Sequence, residues 1–141
     1  FDLTSLGTVL VPEVTQYGVS GLVHFALVPG RAVAGLGSIY ITAPEGYVLF
    51  CEYSQFFDAG NLPPGIDCNA ANNIASIALA GSDALMKNVV YHFAMRVTNP
   101  STATGTAWTV QLLTRHGEVI HMSQDVIGYT LTSKAITRMA V

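Results

Sequence analysis

The sequence predicts an all-β sandwich of about seven to nine antiparallel strands. Short runs rich in Val, Ile, Tyr, Phe and Thr recur along the 141 residues, and Gly or Pro separates them at intervals of about ten residues. Several runs alternate apolar and polar side chains, as expected for a sheet with one face in a core. The length is sufficient for one domain that builds its own core.

Strands are expected in order at 3–11, 19–28, 37–43, 47–53, 74–79, 90–98, 106–114, 118–123 and 126–132. Three of these runs carry apolar residues at alternate positions. The residues predicted to face the core are Val19, Gly21, Val23, Phe25 and Leu27, which are the odd positions of 19–27; Tyr91, Phe93, Met95 and Val97; and Trp108, Val110 and Leu112. The runs 47–51 and 126–131 are apolar on both sides, so a neighbouring subunit could cover one of their faces.

Residues 82–87 are the one stretch with the pattern of a helical turn, with Ser82 or Asp83 as its cap. Tyr91 follows shortly after. In immunoglobulin-like sandwiches a tyrosine near the start of strand F bonds through its hydroxyl to backbone a few residues upstream. By this analogy we expect an immunoglobulin-like strand arrangement.

Composition excludes two classes of function. The net charge is −3, and the six basic residues are scattered, so the chain has no stripe that could neutralise a phosphate backbone. Gly, Pro, Ser, Thr and Asn interrupt every apolar stretch before it reaches the length of a membrane-spanning helix. Charged residues are only 11% of the chain, so we expect a polar but uncharged surface, or one that is partly covered.

Cys51 and Cys68 are the only cysteines, 17 positions apart. A disulfide is the favoured interpretation, which would place the protein outside the cytosol. The alternative is a pair of buried free thiols in a reducing compartment. Glu52 and Asp67 flank the two sulfurs, and no neighbouring cation activates a thiolate. The pair is therefore interpreted as structural.

No catalytic or metal-binding pattern is present. The four histidines form no HxH or HExxH spacing, and the chain has no GxSxG elbow. Glu52, Asp58 and Asp67 lack the alternating spacing of a calcium loop. We therefore expect a protein that is not an enzyme and uses no metal or cofactor.

Two segments are candidate contact or modification sites. Tyr53, Phe56 and Phe57 form an aromatic cluster between the cysteines, which could contact a subunit, a protein or a glycan. The hydroxyl-rich loop that contains Ser101, Thr102 and Thr104 could accept O-linked glycans.

The N-terminal segment, residues 1–18, precedes the expected sandwich domain at 19–141. Its apolar run could pair within its own sheet or add to an exposed edge of another subunit. The candidate inter-subunit residues are Leu3, Leu6, Val9, Leu10 and Val11.

Several short motifs occur together in a characteristic order: IYITAPEGY (39–47), Cys51, LPPGIDC (62–68), YHFAMRVTNP (91–100), Trp108 and GYTL (128–131). This order resembles a module that is repeated in tandem in very large secreted proteins of dinoflagellates and related algae. The resemblance implies an extracellular all-β module with a Cys51–Cys68 bond in a cell-surface or mastigoneme-like assembly. We therefore expect a structural module of an extracellular filament or coat that contacts copies of itself through apolar strand edges. The alternative is a glycan- or protein-binding adhesion module.

Overall fold

The computed structural model describes residues 7–33, 35–51, 62, 66–81, 84–102, 105, 107–127 and 131–132. Within these residues there are nine strands: β1 (Gly7–Pro12), β2 (Ser20–Val28), β3 (Ser38–Thr42), β4 (Val48–Phe50), β5 (Asp67–Ala71), β6 (Ile74–Ala78), β7 (Tyr91–Thr98), β8 (Ala107–Leu113) and β9 (Val119–Ile127). They form a four-stranded sheet in the order β1-β2-β7-β4 and a five-stranded sheet in the order β5-β6-β3-β8-β9. All paired strands are antiparallel, so the predicted sandwich is confirmed.

The core lies between the inner faces of the two sheets and is aromatic at its centre. Phe25 on β2 stacks on Phe93 on β7 with ring centroids 5.0 Å apart. Trp108 on β8 is fully buried and meets Phe25 and Tyr47 edge to face, at 5.9 and 5.3 Å. Edge-to-face and offset stacked pairs are the favoured aromatic geometries. The residues predicted from alternation to face the core are buried, except Val19 and Gly21 at the start of the first run, which are only partly buried.

One side of the sandwich is closed covalently. Cys51 directly follows β4, an edge strand of the four-stranded sheet, and Cys68 lies in β5, an edge strand of the five-stranded sheet. A disulfide joins them across a Cα–Cα distance of 5.8 Å. The backbone N–H of Leu49 also donates to the carbonyl of Asn72, in the β5–β6 turn, at 2.8 Å. The predicted disulfide is therefore present, and it links the two sheets.

The opposite side is closed by main-chain pairing. Gln16, beyond β1, forms a parallel bridge with Thr132, beyond β9. The N–H of Tyr17 donates to the carbonyl of Thr132, and the N–H of Thr132 donates to that of Thr15. The buried Asn99 side chain also donates to two carbonyls of this 13–19 connection, at 3.2 and 2.9 Å. Each open side of the sandwich is thus tied.

Two strand predictions were wrong. β5 was missed, because Asp, Asn and Ala are uncommon in strands. Its pairing with β6 is fixed by the two-residue turn Asn72–Asn73, with Asn72 at a φ of 54°, a conformation that asparagine tolerates. The expected separate strands at 118–123 and 126–132 are one strand, β9, over the described part. Register shifts opposite Thr109 and between Leu112 and Leu113 place extra residues on β9, and such bulges break the alternation used to predict strands.

The predicted helical turn at 82–87 is not helical in the part that is described. Leu85 instead forms an antiparallel bridge with Val33. The predicted tyrosine contact is confirmed: the Tyr91 hydroxyl accepts a hydrogen bond from the backbone N–H of Met86 at 2.6 Å. Its strand differs from the expectation, because β7 lies between β2 and β4, the position of strand E rather than strand F in an immunoglobulin sheet.

Candidate functional site

The aromatic cluster between the cysteines lies outside the described residues. Tyr53, Phe56 and Phe57 therefore stay a prediction. The structure describes the two cysteines that anchor this loop, with Cys68 buried and Cys51 partly buried against the core. Of the predicted glycan acceptors, Ser101 and Thr102 are exposed on the β7–β8 connection, and Thr104 lies outside the described residues.

The N-terminal strand lies in the sheet of its own chain. β1 pairs along its whole length with β2, so the described part of 1–18 forms an edge strand of the sandwich. Leu10 is buried in the core, whereas Val11 is exposed. Val9 lies in the same strand, and Leu3 and Leu6 lie outside the described residues. Of the predicted contact residues, the structure therefore describes only Val11 as exposed.

The described ionisable groups do not converge on a reaction centre. His24 on β2 contacts the Glu13 carboxylate at 2.7 Å on the outer surface of the four-stranded sheet. Within the described residues, no three His, Cys, Asp or Glu side chains are placed to hold a metal ion. No helix there is long and apolar enough to cross a membrane.

Exposed apolar side chains concentrate at one end of the sandwich, where β2, β6 and β8 finish and β3, β7 and β9 start. We call this the apolar end. It comprises five of the eight large hydrophobic side chains that are exposed in the described structure: Leu36, Met86, Val89, Val90 and Val119. The remaining three are on separate strands: Val11 on β1, Phe50 on β4 and Ile74 on β6.

The loops of the apolar end are locked together by backbone contacts. The 29–37 and 79–90 connections share the Val33–Leu85 bridge, and the N–H of Asn88 donates to the carbonyl of Pro29 at 2.9 Å. A Cβ on Gly35 would lie 2.2 Å from the carbonyl oxygen of Gly81, so only glycine permits this approach. The exposed side chains are therefore displayed on a closely packed support.

Leu36 occupies an unusual conformation at this end. Its φ is 67°, a region that bulky L-residues rarely adopt. The strain costs on the order of 1 kcal/mol, yet the side chain stays half exposed. Such strain persists only where the surrounding structure fixes the backbone, and it clusters at functional sites.

The outer face of the five-stranded sheet carries a second candidate site. One cross-strand row places Asn69 on β5, Ser76 on β6, Tyr40 on β3 and Gln111 on β8 side by side. None of these four side chains forms a hydrogen bond within the described structure. We call this row the polar row.

A depression of about 370 Å³ opens at the β5 end of the polar row. Its lining residues are Tyr40, Asn69, Ala70, Ala71, Ile74 and Ser76. The small side chains leave the space, while Tyr40 and Ile74 supply apolar surface beside amide and hydroxyl groups. None of the lining side chains is charged.

Sequence reasoning missed both surfaces. The four members of the polar row come from four separate strands, one of which, β5, was not predicted. A cross-strand row becomes visible only when the register is known, because a shift of one residue moves each side chain to the other face. The apolar end combines residues from three separate connections or strand starts, and no local pattern joins them.

No protein-family model and no curated protein sequence matches the chain. Solved structures do match. An uncharacterized protein from Nocardia farcinica with an immunoglobulin-like fold superposes with a TM-score of 0.53 at 16% identity, covering 79% of this chain and 80% of that one. This likeness shows that the chain has an immunoglobulin-like fold.

Two further structures are similar at lower scores. A non-cellulosomal cohesin from the archaeon Archaeoglobus fulgidus has a TM-score of 0.42 at 10% identity, and the match covers 83% of this chain and 89% of the cohesin chain. A family 3b carbohydrate-binding module of the scaffoldin ScaA from Acetivibrio cellulolyticus has a TM-score of 0.44 at 15% identity, and the match covers 92% of this chain and 99% of that module. None of these likenesses shows a function for this chain.

Proposed function

We propose that this chain is a structural module of an extracellular filament or cell-surface coat, without catalytic activity, and that modules associate end to end through the apolar end. The observation that carries the proposal is the concentration of exposed apolar side chains on that end. Exposed apolar patches on rigid supports are characteristic of protein contacts. The resemblance to tandem algal surface modules favours the same role.

The strand edges are less suited to association than the sequence suggested. The edges of β4 and β5 are tied to each other by the disulfide. β9 carries two register irregularities, which interrupt the regular hydrogen-bonding template of an edge. On the β1 side, the 15–17 backbone is paired with Thr132. We therefore propose that the modules associate through the apolar end and not through their strand edges.

The direction of the chain favours a repeating contact. β1 starts at the apolar end, because Gly7 pairs with Val28, whereas Thr132 lies beside Gln16 at the other end. Successive modules would then meet with the apolar end of one against the opposite end of the next. A contact between unlike surfaces is head-to-tail, and it produces a filament when the rotation between successive modules does not close a ring.

An extracellular location agrees with the disulfide, since such bonds persist in oxidising compartments. Ser101 and Thr102 are exposed and stay candidates for O-glycosylation together with Thr104. Glycans on this connection would lie at the end opposite the apolar end. Because the proposed contact brings the apolar end of one module against this end of the next, glycans here would oppose association, while the sheet faces would stay accessible.

Sedimentation velocity across a range of protein concentrations tests the association, with negative-stain electron microscopy of the same samples. The test variant is Met86→Asp, and the matched control is Val11→Asp, because both side chains are 55% exposed. A buried unpaired carboxylate at an interface is strongly unfavourable. We expect Met86→Asp to shift the protein to monomer and Val11→Asp to associate like the parent.

Two results would contradict the proposal. A parent protein that stays monomeric at high concentration and forms no fibre has no such interface. If Val11→Asp abolishes association and Met86→Asp does not, the contact lies at the β1 edge, as the sequence first suggested.

A further inference from the structure

The polar row and its depression have the chemistry of a ligand site and lie away from the apolar end. The row crosses four strands, and three strand spacings span about 14 Å. Asn69 and Gln111 each offer an amide that can donate and accept, and Ser76 and Tyr40 each offer a hydroxyl. These groups make no hydrogen bond to the described chain, so a ligand would not have to displace an internal partner.

The charge of the face restricts the class of ligand. On β3, β5, β6 and β8 the outward positions are Ser38, Tyr40 and Thr42; Asp67, Asn69 and Ala71; Ile74, Ser76 and Ala78; and Ala107, Thr109, Gln111 and Leu113. Asp67 is the only charged residue among them. None of these described positions carries a cation that could pair with a phosphate, sulfate or carboxylate group.

The shape and the mixed polarity favour a sugar over a peptide segment. A sugar ring has an apolar C–H face and a rim of hydroxyls, so it matches an aromatic and aliphatic surface that is bordered by amides. The row lies on strands that are paired on both sides, apart from β5. Strand addition, which is the usual way to bind an extended peptide on a sheet, needs a free edge instead.

We infer that the depression formed by Tyr40, Asn69, Ile74 and Ser76, with the polar row leading to Gln111, is a binding site for a neutral glycan. Tyr40 and Ile74 contact the apolar face of one sugar unit, and Asn69 and Ser76 bond its hydroxyls. Gln111 contacts a neighbouring unit along the row. This site differs from the predicted aromatic cluster at Tyr53, Phe56 and Phe57, and it does not depend on end-to-end association.

Affinity electrophoresis of the full chain in gels that contain soluble polysaccharides tests this site. The probes are neutral glucan, mannan, xylan and galactan, with alginate and a sulfated galactan as charged comparisons. We expect at least one neutral polysaccharide to retard the parent and the charged ones not to. Tyr40→Ala and Asn69→Ala should each raise the apparent Kd about tenfold, the effect of losing one well-placed contact.

The control is His92→Ala, which removes an exposed ring from the outer face of the other sheet and should bind like the parent. Asn69 is exposed, so Asn69→Ala keeps the test informative if Tyr40→Ala unfolds, which thermal melting would reveal. The inference is overturned if none of the neutral polysaccharides retards the parent protein. Parent-like binding by folded Asn69→Ala, or a preference for the charged polysaccharides, overturns it as well.

Discussion

Removal of the Cys51–Cys68 bond should destabilise the fold by about 3 kcal/mol. The bond closes a loop with a sequence separation of 17 residues, and in the chain-entropy model a loop of this size restricts the unfolded chain by about 3 kcal/mol at 25 °C. The perturbation is the double variant Cys51→Ala and Cys68→Ala. It leaves no unpaired thiol that could form a bond with another molecule.

The structure indicates that the folded state itself should change little. The two sheets stay connected on the same side by the hydrogen bond from Leu49 to the carbonyl of Asn72 and through the shared core. Cys68 is buried, so its truncation removes one buried sulfur, whose loss adds up to about 1 kcal/mol. Most of the effect therefore arises in the unfolded chain.

Urea unfolding followed by tryptophan fluorescence measures this effect, because Trp108 is the only tryptophan and is fully buried. With an m-value of about 2 kcal/mol/M, a loss of 3 kcal/mol lowers the midpoint by about 1.5 M. The parent in the presence of a reductant should approach the variant. The variant should not respond to the reductant.

A loss below about 1 kcal/mol would refute the loop-entropy argument. Unfolding of the oxidised and the reduced parent at the same urea midpoint with the same m-value would also refute it. If the reduced parent instead falls far below the double variant, the destabilisation comes from the free thiols and not from the loop.

Three further predictions concern single side chains. Tyr91→Phe removes the acceptor for the N–H of Met86 and should cost about 1–2 kcal/mol in urea unfolding, whereas Tyr40→Phe, on the outer sheet face, should cost much less. Asn99→Ala removes both bonds from a buried amide to the 13–19 connection and should cost about 2–3 kcal/mol, with hydrogen exchange rising at residues 14–17 rather than throughout. Burial, with a smaller effect from Tyr17, raises the pKa of Tyr47, so the folded state holds the phenol proton more tightly than the unfolded state does. The resulting stability is fully present below about pH 10 and is lost as the pH rises further. In Tyr47→Phe the free energy of unfolding should therefore depend less steeply on pH above about pH 10.

Those features of the fold that arise from local periodicity could be predicted from the sequence. Alternation in 19–28, 90–98 and 106–114 identified the buried faces of β2, β7 and β8, including Trp108. For these strands the information lies within one segment, where a period of two residues is enough to assign a face. The bond of the Tyr91 hydroxyl to upstream backbone was expected by analogy with immunoglobulin-like sandwiches, although the turn before it is not helical in its described part.

The remaining features depend on pairing between segments that are distant in sequence. β5 is a strand because β6 pairs with it and because Cys68 is bonded to Cys51, although its own residues do not favour a strand. The extra residues on β9 are bulges only relative to β8. The same reason explains why alternation predicted two strands where the structure has one.

The placement of the two proposed surfaces follows from how the sandwich is closed. A sheet that ends in free edges is open to lateral pairing, but here one pair of edges is joined by the Cys51–Cys68 bond and the opposite side is tied by the pairing of Gln16 with Thr132. Lateral growth is thereby disfavoured, and the surfaces left for contacts are the two ends and the outer sheet faces. The proposed association along the strand axis through the apolar end would leave the outer face of the five-stranded sheet exposed in every module. A glycan site on that face would then recur along the whole length of the assembly, so that many weak sites could act together on one polysaccharide chain.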